Sequence, residues 1–208
     1  LVKTVDLSAL TSASSRLQYV VADYSVDGRV FIYVTDAATR AILVYDVTSG
    51  RGYRVVLPKA TTLGCAKRDV LYPTLIRRPD GSSCLLFSYL SSSRLFSIRT
   101  DYLQNGCAQG KIHDLGPKPK KMVFLGTDNG SGVFFRYEGE SDVYRWDAGT
   151  PFCPQNFVKI SSGGDGCSLA TEVVPDYKRG RMRVLESNFP DFVQGTVGCG
   201  VDHSLSVL

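Results

Sequence analysis

The chain has 208 residues, of which 43% are hydrophobic and 21% charged, and this is the composition of an ordinary globular protein. Its formal net charge is only +4, and its one basic cluster, residues 118–121, is short, so we expect no nucleic-acid partner. No apolar run approaches the roughly 18 residues that a membrane-spanning helix requires, so we expect no membrane partner either.

The chain opens on the letters LVKTVDL, which predict that residues 1–10 supply an outer strand. One or two helical turns are predicted near Ser8–Arg16. Residues 17–60 predict a group of strands separated by turns rich in Gly, Asp and Ser, which supply positive φ angles or side-chain caps. The predicted strands of this group are Leu17–Ala22, Val30–Thr35, Ala41–Val47 and Tyr53–Leu57.

The same pattern of strands and turns recurs over roughly residues 70–105, 118–162 and 166–208. A second short helical turn is predicted at Asp101–Asn105. We expect all of these groups to belong to one domain over residues 1–208. The further predicted strands are Thr74–Arg77, Cys84–Tyr89, Leu95–Arg99, Lys121–Leu125, Gly132–Tyr137, Val143–Trp146, Phe157–Ile160, Ser168–Val174, Arg181–Glu186, Phe192–Thr196 and Ser204–Leu208.

The groups recur about every 50 residues, and a repeat of this length that carries several strands is typical of β-propeller blades. Runs such as AILVY and CLLF are apolar on both faces, which suits middle strands that lie between neighbouring blades. A blade alone would expose those faces, so the blades must stack into a ring. The sequence therefore predicts an all-β fold, a β-propeller of which this chain supplies about four blades; a closed four-bladed ring is possible, and we favour a larger ring.

The six cysteines form no CxxC pair and are accompanied by only two histidines, so we expect neither a metal site nor a cofactor. An even number of cysteines in Gly- and Ser-rich loops favours disulfide bonds in an oxidising compartment. Asn129 opens the sequon Asn-Gly-Ser, which predicts glycosylation or, alternatively, a tight turn. The disulfide candidates are Cys65, Cys84, Cys107, Cys153, Cys167 and Cys199.

Two histidines stand beside acidic residues and could act as general bases. His113 precedes Asp114, and His203 follows Asp202, but both lie on segments with little predicted structure. A nucleophile elbow of the Gly-x-Ser-x-Gly type is missing from the sequence. We therefore interpret both histidines as surface residues and predict no catalytic residue.

Four segments resemble the yellow and major royal jelly protein family in the same order along the chain. They are VVADYSVDGRVFIYVTDAATRAILVYDVTSGRGYRVVLP, FSYLSSSRLFSIRTDYL, GVFFRYEGESDVYRWD and MRVLESNFPDFVQGT, and they cover about Leu17 to Thr196. The resemblance implies a secreted, six-bladed propeller, of which this chain covers the later two thirds. It also implies that the missing blades lie on a complementary chain or fragment, or have been lost. One departure is Phe189, which replaces the arginine of the family's SNR motif.

The resemblance also implies an amine-binding site in the central channel, with Asn188 and Thr171 at positions that contact the ligand. The family's aromatic partner falls on Pro190 here, where Phe189 or Phe192 could substitute. An amide and a hydroxyl can orient an ammonium or phenol while aromatic rings hold the ligand ring. The alternatives are that Asn188 is a turn residue and that Thr171 is an ordinary strand residue.

Four acidic residues lie within predicted strands or close them. Glu172 and Glu186 lie within predicted strands. Either carboxylate could balance the positive charge of an amine in the channel; the alternative is that both face solvent. Asp23 and Asp36 close strands, and we interpret both as turn residues.

Three functions remain open on the sequence alone. The first is a secreted protein that binds a small aromatic amine or related metabolite in its channel. The second is an enzyme of the dopachrome-converting kind in melanin formation, which needs a proton-transfer group. The third is a structural or storage protein that assembles with a complementary chain.

Overall fold

The computed structural model describes residues 3–66, 68–163, 168–197 and 202–208, and the fold within them is all-β. Four antiparallel sheets account for all strands of these described ranges. The chain divides into two compact units: unit 1 is Leu1–Leu75 with Gly81–Pro117, and unit 2 is Ile76–Asp80 with Lys118–Leu208.

Unit 1 holds two four-stranded sheets in which the strands follow chain order. The first sheet consists of β1 (Leu17–Tyr24), β2 (Val30–Asp36), β3 (Ala41–Asp46) and β4 (Arg51–Val56). The second consists of β5 (Leu71–Arg77), β6 (Ser83–Tyr89), β7 (Arg94–Arg99) and β8 (His113–Pro117), and the last two residues of β5 belong to unit 2. Helix α1 (Thr100–Gln104) follows β7, and short 3-10 helices span Ser8–Leu10 and Lys59–Thr62.

Unit 2 holds a four-stranded sheet and a three-stranded sheet, which we call the last sheet. The former consists of β9 (Met122–Thr127), β10 (Gly132–Tyr137), β11 (Val143–Asp147) and β12 (Phe157–Ser161). The last sheet consists of β13 (Leu169–Asp176), β14 (Arg181–Ser187) and β15 (His203–Val207), with helix α2 (Phe189–Gln194) between β14 and β15. A 3-10 helix spans Pro154–Asn156. Across the described ranges, every helix is too short or too polar to cross a bilayer.

The middle strands are the most apolar and the most buried. All residues of β3 except Tyr45 are buried, as are all residues of β6 after Ser83, whereas β4 is largely exposed or half-buried. Side chains of both sheets build the core of unit 1. Five of its residues are each at most 2% exposed: Phe31, Ile42, Leu71, Leu85 and Phe87. Burial of one such side chain contributes roughly 1.5–3 kcal/mol, so face-to-face packing of the two sheets stabilises unit 1.

In both units the first strand of one sheet lies beside the first strand of the next. The Gln18 side chain of β1 accepts a hydrogen bond from Leu71 N of β5 at 2.8 Å and donates one to Asp69 O at 3.2 Å. In unit 2, a Cβ added at Gly126 of β9 would lie 2.1 Å from Val173 O of β13. Adjacent first strands are the inner strands of propeller blades. The predicted all-β fold, with four blades of a β-propeller, is therefore confirmed.

Three segments differ from the sequence-based expectations. Residues 3–7 form no strand, and a 3-10 helix follows them at Ser8–Leu10. The strand β8 was not expected, because its letters HDLGP lack an apolar alternation; pairing with β7 creates it. The expected strand Phe192–Thr196 is wrong, since α2 occupies most of that segment. The two predicted helical turns are confirmed by the 3-10 helix at Ser8 and by α1.

Candidate functional site at the end of the last sheet

The three predicted ligand-binding residues meet at one end of the last sheet. In the antiparallel pair of β13 and β14, Leu169 lies opposite Ser187. Thr171, near the start of β13, and Asn188, directly after β14, therefore share this end of the sheet. Phe189 is the first residue of α2 and follows at once. A hydroxyl, an amide and an aromatic ring thus lie toward the same end of this sheet.

Thr171 lies at an irregularity of the ladder, where the register shifts between Ala170 and Glu172. Its half-buried hydroxyl donates a hydrogen bond to Leu185 O at 3.1 Å. A hydroxyl oxygen that donates its proton keeps its lone pairs for accepting hydrogen bonds. Thr171 is therefore held in a fixed orientation within the sheet and retains the capacity to accept a hydrogen bond from a ligand.

Asn188 connects the start of α2 to the residue that precedes β15. Its side-chain Oδ1 accepts a hydrogen bond from Asp202 N at 3.2 Å, and its backbone N donates to Asp202 O at 3.3 Å. Asn188 therefore links the end of β14 to the start of β15. The sequence left this structural role open as the alternative to ligand contact. Its half-buried position leaves it at the surface of the sheet end.

The aromatic residues of α2 face solvent. Phe189 is 50% exposed and Phe192 69% exposed, and their rings stack with centroids 6.4 Å apart at an interplanar angle of 27°. Val193, beside them, is also exposed. Stacked aromatic faces of this kind can hold a planar ring or attract a cation.

The local sequence explains why α2 is a helix rather than a strand. Asn188 stands at the N-cap but its side chain makes no capping hydrogen bond, whereas Pro190 lies in the first turn, where its missing N–H costs nothing. Gly195 ends the helix with φ of 68°, the left-handed conformation that glycine adopts readily. Thr196 N then donates to Asp191 O at 2.9 Å. These capping signals could have identified the helix from the sequence.

Of the two glutamates considered for an amine, Glu172 directly follows Thr171 and lies opposite Leu185, and Glu186 lies one position nearer this end of the sheet. Its half-buried carboxylate accepts a hydrogen bond from Ser204 Oγ at 3.4 Å, whereas Glu172 is exposed. At the other end, Asp176 forms a 2.8 Å ion pair with Arg183, whose hydrogen bond lowers the pKa of the Asp176 carboxyl. Glu186 is therefore the carboxylate available to the candidate site.

His203 joins the site through pairing that the sequence did not reveal. It lies opposite Ser187 in the ladder of β14 and β15 and is exposed. His113 is likewise exposed but belongs to unit 1, where its neighbour Asp114 pairs with Arg94. In the described ranges, no group of three or more His, Cys, Asp or Glu side chains is arranged to hold a metal ion.

The disulfide candidates are only partly described. Cys167 and Cys199 lie outside the described residues, while Cys107 and Cys153 are free thiols in the structure and Cys84 is buried within β6. The disulfide bonds therefore stay a prediction. The glycosylation candidate Asn129 is exposed in the turn between β9 and β10.

Known structures with the same fold are longer than this chain. One is a putative exo-β-1,3-galactanase from Bifidobacterium bifidum s17, with a TM-score of 0.54, 10% identity and coverage of 95% of this chain and 70% of that one. Another is a GH43 β-1,3-galactosidase solved with galactodeoxynojirimycin, with a TM-score of 0.50, 10% identity and coverage of 93% and 72%. At this identity the likeness concerns the fold alone.

The sheet order and the adjacent first strands define a protein of the β-propeller class. A comparison with curated protein sequences finds no match. The sequence model of the family described as major royal jelly protein matches residues 1–202. The chain therefore belongs to the major royal jelly protein family, and the resemblance drawn from its four segments is confirmed.

Proposed function

We propose that this protein binds a small aromatic amine at the end of its last sheet. The observation that carries the proposal is that Thr171, Asn188 and Phe189 all lie toward that end. Membership of the major royal jelly protein family supports it, because the family resemblance points to the same positions as ligand contacts.

The chemistry of the sheet end suits such a ligand. The hydroxyl oxygen of Thr171 accepts a hydrogen bond from an ammonium or phenol while the hydroxyl donates to Leu185 O. The Glu186 carboxylate supplies the opposite charge. The exposed faces of Phe189 and Phe192 attract a cation or stack on a ring, which contributes roughly 0.5–1 kcal/mol at exposed sites.

Calorimetric titration with serotonin, dopamine and octopamine tests the proposal. We expect at least one amine to bind, and Thr171→Val to weaken that binding by about tenfold, which corresponds to about 1.4 kcal/mol. Thr150→Val is the matched control, because the Thr150 hydroxyl also donates to a backbone carbonyl, Asp147 O, but lies in the turn after β11, outside the last sheet. Absence of heat with all three amines, or equal losses in the two variants, contradicts the proposal.

The proposal includes action outside the cell. Family membership supports secretion, and so does the exposed sequon asparagine Asn129, which is positioned to carry a glycan. Appearance of the expressed protein in the culture medium of secreting cells is the expected result. Retention of the whole product inside those cells contradicts it.

A second candidate function is dopachrome conversion, and the position of His203 favours it. That reaction requires proton transfer, and His203 lies across the ladder from Ser187, one position from Glu186. A spectrophotometric assay of dopachrome decay discriminates the two functions. The enzyme hypothesis requires decay faster than in buffer and a slower rate for His203→Gln; a rate equal to that in buffer rejects it.

Assembly with a complementary chain is favoured by exposed apolar residues on two strands. Val20 and Tyr24 of β1 are 60% and 63% exposed, and Leu205 and Val207 of β15 are 57% and 46% exposed. Blades of a propeller cover such residues by packing against further blades. We expect a native mass above that of the chain, and a native mass of only 22.7 kDa contradicts assembly.

A further inference from the structure

A cavity of about 300 Å³ lies in unit 1 and has no lining residue in common with the proposed amine site. One wall is a face of the first sheet, where the ladder sets Phe31 opposite Asp46 and Asp46 opposite Arg51. Cross-strand partners point to the same side of a sheet, so these three side chains share the wall. Tyr53 continues it, and Gln104 of α1 closes the cavity. We call this cavity the Arg51 pocket.

The back of the Arg51 pocket is held rigid by a buried hydrogen-bond network. Gln104 Nε2 donates to Asp23 Oδ2 at 3.0 Å and to Tyr33 OH at 3.3 Å. Asp23 and Tyr33 are almost completely buried. Because the amide nitrogen of Gln104 is engaged, its orientation is set, and no described residue donates to its Oε1. Because Gln104 lines the pocket, its amide oxygen is a candidate acceptor for a ligand there.

Arg51 is the uncommitted cation at the rim. Asp46, its ladder partner, already accepts hydrogen bonds from Thr48 N at 2.8 Å and Ser49 N at 3.0 Å and lies 3.5 Å from Arg29. Arg29 also pairs with Asp27 at 2.8 Å. Within the described ranges, the Arg51 guanidinium makes no ion pair or side-chain hydrogen bond. It is therefore available to bind a carboxylate in bidentate fashion.

The remaining walls are apolar and aromatic. Phe31 and Val44 are almost completely buried, and the Tyr53 ring is fixed by the hydrogen bond of its hydroxyl to Leu103 O. A pocket with aromatic walls and a few placed polar groups is the usual form of a small-molecule site, and 300 Å³ is the lower end of the usual size. The occupant must therefore be small and flat.

From these groups we infer that the Arg51 pocket binds a small ring carboxylate that carries a hydroxyl or amino donor. The carboxylate binds the Arg51 guanidinium, the ring packs between Phe31 and Tyr53, and the donor reaches Gln104 Oε1. This ligand is an anion, in contrast to the amine proposed for unit 2, so the two sites are separable by charge.

Titration with 4-hydroxybenzoate, followed by calorimetry or ligand-observed NMR, tests this inference. We expect binding with a dissociation constant of about 1 mM or tighter. Two ligand controls separate the contacts: benzoate lacks the donor and 4-hydroxybenzamide lacks the charge. Each should bind more weakly than 4-hydroxybenzoate by about fivefold or more, because each forfeits one polar contact.

The protein variants are matched in charge. Arg51→Gln should weaken 4-hydroxybenzoate binding by about tenfold or more, because the charge-assisted contact is lost. Arg94→Gln, which removes an exposed arginine of the same unit that does not line the pocket, should bind as the wild type does. Absence of binding to the wild type, equal binding by Arg51→Gln, or equal binding of benzoate overturns the inference.

Discussion

Asp23, the last residue but one of β1, is only 1% exposed, although aspartate near a strand end suggested a turn. Its carboxylate accepts hydrogen bonds from Tyr24 N at 2.9 Å, from Tyr33 OH at 3.3 Å and from Gln104 Nε2 at 3.0 Å. A buried carboxylate is tolerated when such donors replace the water that it loses. The network therefore joins β1, β2 and α1 at the back of the Arg51 pocket.

We predict that Tyr33→Phe destabilises the protein by roughly 1–3 kcal/mol, because it removes one donor from a buried carboxylate and keeps the ring. Urea unfolding followed by circular dichroism measures the change. Tyr177→Phe is the matched control, since Tyr177 is 73% exposed and its hydroxyl faces water. Equal unfolding midpoints for the two variants contradict the role of the network.

Asn129 takes a positive φ of 61° in the exposed turn between β9 and β10. We predict that secreting eukaryotic cells attach a glycan there, because the sequon lies on an accessible turn. Mass spectrometry before and after peptide N-glycosidase treatment should show one glycan. The glycan should be absent from Asn129→Gln and present in Asn105→Gln, an exposed asparagine outside any sequon; a protein without glycan contradicts the prediction.

At the scale of elements, the approach of β9 to β13 depends on Gly126. Its φ is +146°, and a Cβ there would lie 2.1 Å from Val173 O, which is backbone and cannot move aside cheaply. A side chain at this position would therefore separate the two inner strands of unit 2 or distort both.

We predict that Gly126→Ala costs at least about 2 kcal/mol of unfolding free energy, from overpacking and backbone strain together. Gly139→Ala is the control: Gly139 also has a positive φ, +76°, but no atom lies within 4 Å of its Cβ position. Its cost should be about 1 kcal/mol from conformation alone. Chemical denaturation compares the two, and equal costs would show that the strand approach does not matter.

The helix α2 is specified by its local sequence, whereas the strand β8 depends on pairing with another strand. Pro190 in the first turn and Gly195 at the end of the helix specify α2 within a few residues, so the sequence contained that information. In contrast, β8 has weak strand propensity and forms because β7 offers it hydrogen-bond partners, with Leu95 opposite Gly116. The blade strands with alternating or apolar runs were predicted to within a few residues.

At the scale of the whole molecule, buried tyrosines make the free energy of unfolding depend on pH in the alkaline range. Burial raises the pKa of both Tyr53 and Tyr89 to about 12. Tyr89 OH donates to Ala37 O at 2.9 Å and Tyr53 OH to Leu103 O, so the protonated forms hold unit 1 together. In the unfolded chain both phenols ionise near about pH 10.

We therefore predict that stability holds below about pH 10 and falls between about pH 10 and 12. In that window the unfolded chain binds fewer protons than the folded one, and the free energy of unfolding decreases with pH. Urea unfolding across this range checks the prediction, and Tyr89→Phe should show a shallower decline than the wild type. A wild-type free energy that stays constant over the window contradicts it.

The sequence by itself determined the repeat of strand groups, the all-β class and the family, because alternation, turn residues and family motifs are read over short stretches of chain. It also named Thr171, Asn188 and Phe189. Only the tertiary structure brought His203 and Glu186 to the same sheet end and buried Asp23 against Gln104. It also placed the Arg51 guanidinium beside a cavity with no ion pair to any other residue that the structure describes. Those outcomes depend on which distant residues pair and pack, and strand pairing brings together groups far apart in sequence.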